Sequence, residues 1–319
     1  MSSSPSSTFS TTGQCLKGEL WQTHLLKTRY PHLKTIMSIG GWTWSDNFSV
    51  AFSTAAGRRR VVETSQQLME QFGFDGLDID FEFPGMAKSS KDPEANKFWQ
   101  SSVNDWQNMA AFFTEARAAY GNKYSLSAAL PGLPFGANTA WPSLGRTLDY
   151  ALIMAYENNH MPTRAWGGGT LRSVESDDSV EKIYNVKAGM DDYVAAGIPR
   201  NKLILGIPLY GTGFSGLNRN MRFRDNIPGF GVDIRANNLV KLPPTGYNKI
   251  MEQVQQGGWT KTVDERRGIT VYFNGSHVWF VDTPETIRIK GEYAKQERLA
   301  ASCTGTPTRT CCPRTQTRS

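Results

Sequence analysis

Cysteine and histidine are scarce in this sequence, with four residues of each type among 319. Cys15 lies near one end of the chain, and Cys303, Cys311 and Cys312 lie near the other. This spacing matches neither a disulfide framework nor a CxxC metal site, although a bridge from Cys15 to the tail stays open. No two histidines have the spacing of metal ligands. We therefore predict no metal site, no cofactor and no small fold stapled by disulfides.

Long apolar runs and a dominant charge are also lacking. No stretch of about 18 apolar residues could span a membrane. The first 13 residues, mostly Ser and Thr, have neither the basic nor the apolar region of a secretory signal. Half of the formal charge of +6 comes from Arg309, Arg314 and Arg318, in a tail without acids. Because the other basic residues are scattered among Asp and Glu, we expect no nucleic-acid partner and no membrane.

The composition that remains, 39% hydrophobic and 20% charged, is typical of a globular protein. Hydrophobic runs of strand length alternate with helical patterns, which predicts parallel βα units. This alternation breaks at about 212–276, which we interpret as an insertion. The predicted strands are residues 35–42, 76–82, 124–131, 148–157 and 202–210, and the predicted helices are 48–72, 96–120, 179–196 and 283–297.

The second predicted strand carries three acids on one face. Side chains alternate along a strand, so Asp78, Asp80 and Glu82 share a face while the apolar residues between them take the other. Like charges about 6 to 7 Å apart cannot all ionise cheaply, so we expect shared protons and at least one raised pKa. A carboxylic acid that stays protonated near neutral pH can act as a general acid.

Glu82 is the last of the three acids, and Pro84 and Gly85 follow it. It therefore lies at the carboxyl end of the strand, where α/β barrels have their active sites. The alternatives are an acidic edge strand that faces water and a divalent-cation site. Cation sites of this kind usually take ligands from loops, and an edge strand would not have so apolar a reverse face. The pattern favours catalysis, with Glu82 as the acid.

Four segments together resemble the family-18 chitinases. Residues 75–82 read DGLDIDFE, which matches the DxxDxDxE signature of that family, and residues 38–42 read SIGGW, similar to its SxGG segment. Residues 154–156 (MAY) and 205–211 (LGIPLYG) resemble its sixth and seventh barrel strands. The resemblance implies an α/β fold of the (β/α)8 TIM-barrel type with a small α+β insertion.

The resemblance also implies substrate-assisted, retaining hydrolysis of chitin, without an enzyme nucleophile. Glu82 would protonate the glycosidic oxygen while the 2-acetamido oxygen of the substrate attacks the anomeric carbon. Asp80 would orient the acetamido N–H, and Asp78 would hold a shared proton with Ser38 as its hydrogen-bond partner. Tyr156 would donate its hydroxyl to the acetamido carbonyl. An inactive chitin-binding protein and an endo-β-N-acetylglucosaminidase on glycans are the alternatives.

A second set of residues is expected to contact chitin or N-acetylglucosamine oligosaccharides. Several have other interpretations: Gly40 and Gly41 suit a close backbone approach, Trp42 and Trp141 suit packing, and Met154 suits barrel lining. The family usually has Asp where this chain has Glu157 and Arg where it has Thr212. The predicted contact residues are Ser38, Gly41, Trp42, Met154, Glu157 and Tyr210.

The two ends depart from the family pattern. Residues 1–31 contain no convincing first and second strands, and after Leu299 we expect neither an eighth strand nor its Trp. A complete barrel has no free edges, so the sequence predicts an incomplete barrel: a chain with altered ends, an open sheet, or a barrel that a partner chain completes. We expect a Ser/Thr-rich start (1–15), a catalytic body (16–300) and a basic Cys/Thr-rich tail (301–319). The resemblance implies a secreted protein, although no signal peptide is visible.

Overall fold

The structure is a computed structural model that describes residues 7–8, 15–16, 18–86, 101–135, 140–156, 163–167 and 169–305. The described residues form two compact units. The first unit holds the residues up to 129 and residues 140–149, and the second holds residues 130–135 and 150–305. Among these residues, no helix is long and apolar enough to cross a membrane.

Parallel strands form the centre of the first unit. After a short antiparallel pair, β1 (Ser7–Thr8) and β2 (Cys15–Leu16), come β3 (Ile36–Gly40), β4 (Gly76–Asp80) and β5 (Ser125–Pro131). β4 pairs in parallel with β3 on one side and with β5 on the other. All residues of β4 are buried, whereas those of β3 are half-buried or exposed. Within the described residues β3 pairs with a strand on one side only, which accounts for its exposure.

Helices alternate with the strands of the first unit, as predicted for βα units. The hydroxyl of Thr54 accepts the N–H of Gly57, which divides the predicted helix at 48–72 into two. The two pieces keep one apolar face, on which Phe52 stacks against Phe112 with ring centroids 4.5 Å apart. The helices are α1 (Gly18–Arg29), α2 (Phe48–Ser53), α3 (Ala55–Phe72), α4 (Asp105–Tyr120) and α5 (Trp141–Thr147).

The second unit combines parallel and antiparallel strands. Its parallel strands β6 (Tyr150–Met154) and β7 (Leu203–Pro208) pair with each other. Five antiparallel strands and one helix then form the predicted α+β piece, in the strand order β10-β11-β12-β8-β9. These strands are β8 (Tyr210–Ser215), β9 (Val240–Gly246), β10 (Thr260–Asp264), β11 (Ile269–Phe273) and β12 (His277–Val281). The helices of the unit are α6 (Ser179–Ile183), α7 (Val186–Ala195), α8 (Tyr247–Gln255) and α9 (Pro284–Gln296).

The prediction that no strand follows Leu299 is wrong. β13 (Ala301–Gly305) pairs in parallel with β7, from Ala301 opposite Ile204 to Gly305 opposite Pro208. The segment is made of small and polar residues, so its hydrophobic pattern gives no strand signal. Backbone hydrogen bonds to β7 and packing of Ala301 on a small apolar cluster hold it instead. The chain has no Trp after Trp279, so this strand does not supply the Trp of the family pattern.

Candidate active site

Two of the three acids, Asp78 and Asp80, lie on β4, and Glu82 follows the strand. Asp78 is buried and accepts two hydrogen bonds of 2.7 Å, from the hydroxyl of Ser38 on β3 and from that of Ser127 on β5. Burial raises the pKa of Asp78 above its ordinary value, although the two hydroxyl bonds act in the opposite direction. The environment therefore favours a proton on this carboxyl group.

Asp80 is also buried, and its backbone is tied to the segment after β3. Its carbonyl oxygen accepts the N–H of Gly41 at 2.7 Å and lies 3.0 Å from the hydroxyl of Ser45. A side chain at Gly40 would not fit here, because its Cβ would lie 2.2 Å from that carbonyl oxygen and 2.6 Å from the Phe48 ring. The glycine thus permits the close backbone approach that the sequence suggests.

Glu82 follows β4 directly and is half-buried, whereas Phe81 and Phe83 on either side of it are buried. Its N–H donates to the Ser45 hydroxyl at 3.0 Å. The Phe81 ring packs on Phe48 with centroids 5.2 Å apart, which anchors the apolar face of the strand. The Glu82–Phe83 peptide is cis. The partly open position leaves the Glu82 carboxyl able to meet a substrate.

The segment 41–45 contains two exposed tryptophans, and a third tryptophan that the sequence suggested as a sugar contact lies elsewhere. Trp42 is 52% exposed and Trp44 is 81% exposed. Trp141 is instead buried, with its ring 4.4 Å from that of Trp106, so packing is its role. Of the tryptophans considered from the sequence, Trp42 alone keeps a surface that a sugar could reach.

The other predicted site residues lie in the second unit. Tyr156 follows β6, and its ring meets the edge of the Tyr210 ring at a centroid distance of 6.0 Å. Gly206 on β7 leaves room for Tyr156, since a Cβ there would lie 2.9 Å from the ring. Met154 is half-buried at the end of β6. Glu157 lies outside the described residues.

Tyr156 and Tyr210 line a small pocket within the second unit. The pocket also holds a buried ion pair, in which Nζ of Lys290 lies 2.6 Å from Oδ2 of Asp282. The remaining lining residues are Gly167, Gly169, Pro208, Thr212, Ile269, Phe280 and Val281.

Ser45, Ser127 and the Asp282–Lys290 pair were not predicted from the sequence. Ser127 had a signal, because it interrupts an apolar strand that follows the acid strand in the predicted parallel order. The contacts of Ser45 depend on a turn, and those of Asp282 and Lys290 depend on a helix that follows the insertion. The sequence therefore carries no signal for these three residues. In the part of the chain that the structure describes, no three His, Cys, Asp or Glu residues are grouped to hold a metal ion.

Comparison with known proteins identifies the class to which this fold and acid row belong. The sequence model of the glycosyl hydrolases family 18 matches residues 6–302, and the chain therefore belongs to this family. It is 29% identical over 306 residues to Endochitinase 1 of Metarhizium robertsii, covering 93% of this chain and 66% of the relative. It is 28% identical over 320 residues to Chitinase A1 of Niallia circulans, covering 91% of this chain and 44% of the relative.

A solved structure supports the same fold. The Group IV chitinase of Ostrinia furnacalis matches with a TM-score of 0.75 at 22% identity, covering 90% of this chain and 76% of that one. With the parallel strands described above, this likeness confirms the prediction of an α/β fold of the TIM-barrel type. The chain spans about two thirds of the length of the first curated relative and under half of the second.

Proposed function

We propose that this chain is an endo-acting glycoside hydrolase that cleaves the β-1,4 linkages between N-acetylglucosamine units of chitin. The observation that supports this most is Asp78, a buried carboxyl with a raised pKa that accepts hydrogen bonds from the hydroxyls of Ser38 and Ser127. Membership of the family gives this arrangement its expected chemistry. The names of the two relatives agree with an action on chitin.

In the proposed mechanism Glu82 gives its proton to the glycosidic oxygen as the bond to the anomeric carbon breaks. The acetamido oxygen of the same sugar attacks that carbon and forms an oxazolinium ion. Water then adds to the anomeric carbon and opens the oxazolinium ring, while Glu82, now a carboxylate, takes a proton from the water and returns to its acid form. Asp80 holds the acetamido N–H and stabilises the positive charge that develops.

The buried Asp78 supports Asp80 by holding the proton that the two carboxyl groups share. Tyr156 is proposed to place the acetamido carbonyl through its hydroxyl. The proposed sugar contacts remain Ser38, Gly41, Trp42, Met154, Glu157 and Tyr210.

The first prediction concerns Glu82→Gln, which keeps the shape of the side chain and removes its proton. We expect kcat for a chromogenic N-acetylglucosamine oligomer to fall by about 100- to 10,000-fold, while the variant still binds to chitin beads. Glu63→Gln, an exposed position on α3, is the matched control and should keep full activity. Turnover by Glu82→Gln equal to that of the wild type would contradict the assignment of the acid.

The same assay separates the alternatives. Wild-type protein that binds chitin beads without releasing the chromophore would indicate a chitin-binding protein instead of an enzyme. Cleavage of N-glycans but not of chitin oligomers would indicate an endo-β-N-acetylglucosaminidase.

We also propose that the protein acts outside the cell, where its polymeric substrate is found. The proposed boundaries remain those of the sequence, with a catalytic body at 16–300 between a Ser/Thr-rich start and a basic tail at 301–319. The proposed insertion is residues 212–276, within the antiparallel sheet that begins at Tyr210 and ends at Val281.

A further inference from the structure

The segment 41–45, between β3 and α2, exposes two indole rings that no predicted catalytic step uses. Trp44 is 81% exposed, an unusual position for so large an apolar surface. Thr43, which separates the two tryptophans in the sequence, is also exposed. Alternating aromatic and hydroxyl side chains suit a sugar, since a pyranose has apolar faces and hydroxyl groups at its edge.

Ser45 ties this segment to the acid strand. The residue is 1% exposed, and its hydroxyl lies within hydrogen-bond distance of three backbone groups: the Gly41 carbonyl at 2.8 Å, the Asp80 carbonyl at 3.0 Å and the Glu82 N–H at 3.0 Å. One hydroxyl can donate to a carbonyl while it accepts the N–H. The backbone of both catalytic candidates is thereby connected to the exposed tryptophans.

The Gly41 N–H adds a second tie, because it donates to the Asp80 carbonyl at 2.7 Å. The turn is closed by the Trp44 N–H, which donates to the Gly41 carbonyl at 3.0 Å. A displacement of the Trp44 backbone would therefore act on the hydrogen bonds that hold Asp80 and Glu82. Ser45 fixes the buried end of the segment, and Trp44 presents an exposed ring that a ligand can reach.

We propose that Trp44 is a binding platform for an N-acetylglucosamine unit outside the cleaved linkage, and that Ser45 is a positioning residue that keeps this platform in register with Glu82. The proposal rests on the chitinase function proposed above. The segment 41–45 then has two roles. Trp44 makes activity depend on the length of the oligosaccharide, and Ser45 holds the backbone of the acid Glu82 in place.

The platform is tested with Trp44→Ala, which removes an exposed ring and leaves the core intact. We expect kcat/KM for the N-acetylglucosamine hexamer to fall about five- to tenfold, with less than about a twofold change for the trimer, which is too short to occupy the outer position. Tyr30→Ala, another exposed aromatic in the first unit but before the amino end of β3, is the matched control. An equal loss on both oligomers, or none on either, would overturn the platform.

The positioning role is tested with Ser45→Ala. We expect kcat to fall about tenfold or more for both oligomers with little change in KM, because the acid is misplaced while the sugar contacts remain. Ser65→Ala is the control for a lost buried hydroxyl, since Ser65 is also 1% exposed and bonds to the Tyr120 hydroxyl on the helical side. Thermal unfolding is measured for both variants.

A structural role alone would lower the melting temperature of both serine variants without a specific loss of kcat, and that result would overturn the assignment of Ser45. The Glu82→Gln variant separates this inference from the function on which it rests. If Glu82→Gln is inactive and the Trp44 and Ser45 variants behave like the wild type, the chitinase function stands and this inference fails. If Glu82→Gln retains turnover, the function itself is wrong.

Discussion

Asp78 is a carboxyl group that two neighbouring strands enclose, and its raised pKa connects activity with stability. For an acid whose pKa is raised by burial, folding favours the protonated form. Its contribution to stability is therefore complete below the ordinary pKa of 3.8 and is lost as the pH rises through the folded-state pKa.

We expect the wild type to lose free energy of unfolding relative to Asp78→Asn as the pH rises from about 3.5 to about 8. The asparagine keeps the size of the side chain but carries no charge that burial could penalise. Urea unfolding of both proteins across this range measures the difference.

Asp75 provides a control of opposite sign. Burial acts to raise the pKa of Asp75, but hydrogen bonds from Lys27, Thr35 and Lys34 outweigh it and the pKa is lowered. The wild type should therefore gain stability relative to Asp75→Asn as the pH rises from below the ordinary pKa of 3.8 to above it, so its unfolding series starts at a lower pH. The same pH dependence in both comparisons would contradict the role of burial at Asp78.

At the same scale, the three acids could be identified from the sequence because alternation along a strand needs no tertiary information. The hydroxyl of Ser45 could not, because its three contacts arise from a turn between β3 and α2. The exposure of Trp42 and the burial of Trp141 were equally open in the sequence, since either ring can pack or bind. Packing of Trp141 against Trp106 decides that case.

At the scale of the elements, the pairing of β3 with β4 depends on a glycine. Gly40→Ala would place a Cβ 2.2 Å from the Asp80 carbonyl oxygen, a backbone atom that cannot move aside alone. We expect a loss of about 2 to 4 kcal/mol in unfolding free energy and a strong loss of activity. Gly291→Ala, in α9 with open space at the Cβ position, is the control and should be neutral or slightly stabilising. A Gly40→Ala protein as stable as the control would refute the close approach.

The predicted strands and helices agree with the observed elements where hydrophobic periodicity is strong. β4 and β5 lie within their predicted runs, and α9 begins and ends one residue inside the predicted 283–297. β13 was missed because Ala301–Gly305 has little apolar character and its stability comes from pairing with β7. The backbone N–H and C=O groups are the same in every residue except proline, which lacks the N–H, so their hydrogen bonds leave little signal in a pattern of side chains.

At the scale of the whole molecule, the second unit contains a buried charge network. The guanidinium of Arg267 is fully buried, with its nitrogens 2.6 Å from carboxylate oxygens of both Asp264 and Asp225 and further bonds to Asp177. It also lies over the Phe230 ring, 4.8 Å from its centroid. Removal of this cation would leave the buried carboxylates of Asp177 and Asp264 without their shortest ion-pair contacts.

We therefore expect Arg267→Met to lower the free energy of unfolding by about 3 to 5 kcal/mol. Arg288→Met removes an exposed arginine whose ion pair with Glu292 lies on the surface, and should change it by less than about 1 kcal/mol. Chemical denaturation of the two variants gives the comparison. Equal effects would show that the Arg267 network contributes no more than a surface pair.

The family, the fold class and the acid strand were all accessible from short motifs, because each motif combines residue type with strand position. The polar pocket of Tyr156, Tyr210 and the Asp282–Lys290 pair was not. Its members extend from Tyr156 to Lys290, with most of the antiparallel sheet between Tyr210 and Asp282, so only the folded chain brings them together. A sequence pattern describes residues that are neighbours along the chain, and few residues of this pocket are such neighbours.

The position of the two serines around Asp78 has a consequence for how the strands align. Ser38, Asp78 and Ser127 lie directly opposite one another on three adjacent strands. A slip of β3 or β5 by one residue would replace a hydroxyl with an apolar side chain and leave the buried carboxyl without that bond, at a cost of about 1 to 3 kcal/mol. Ser38, Asp78 and Ser127 thus favour one alignment of the three strands during folding, and the same three side chains hold the proton in the folded protein.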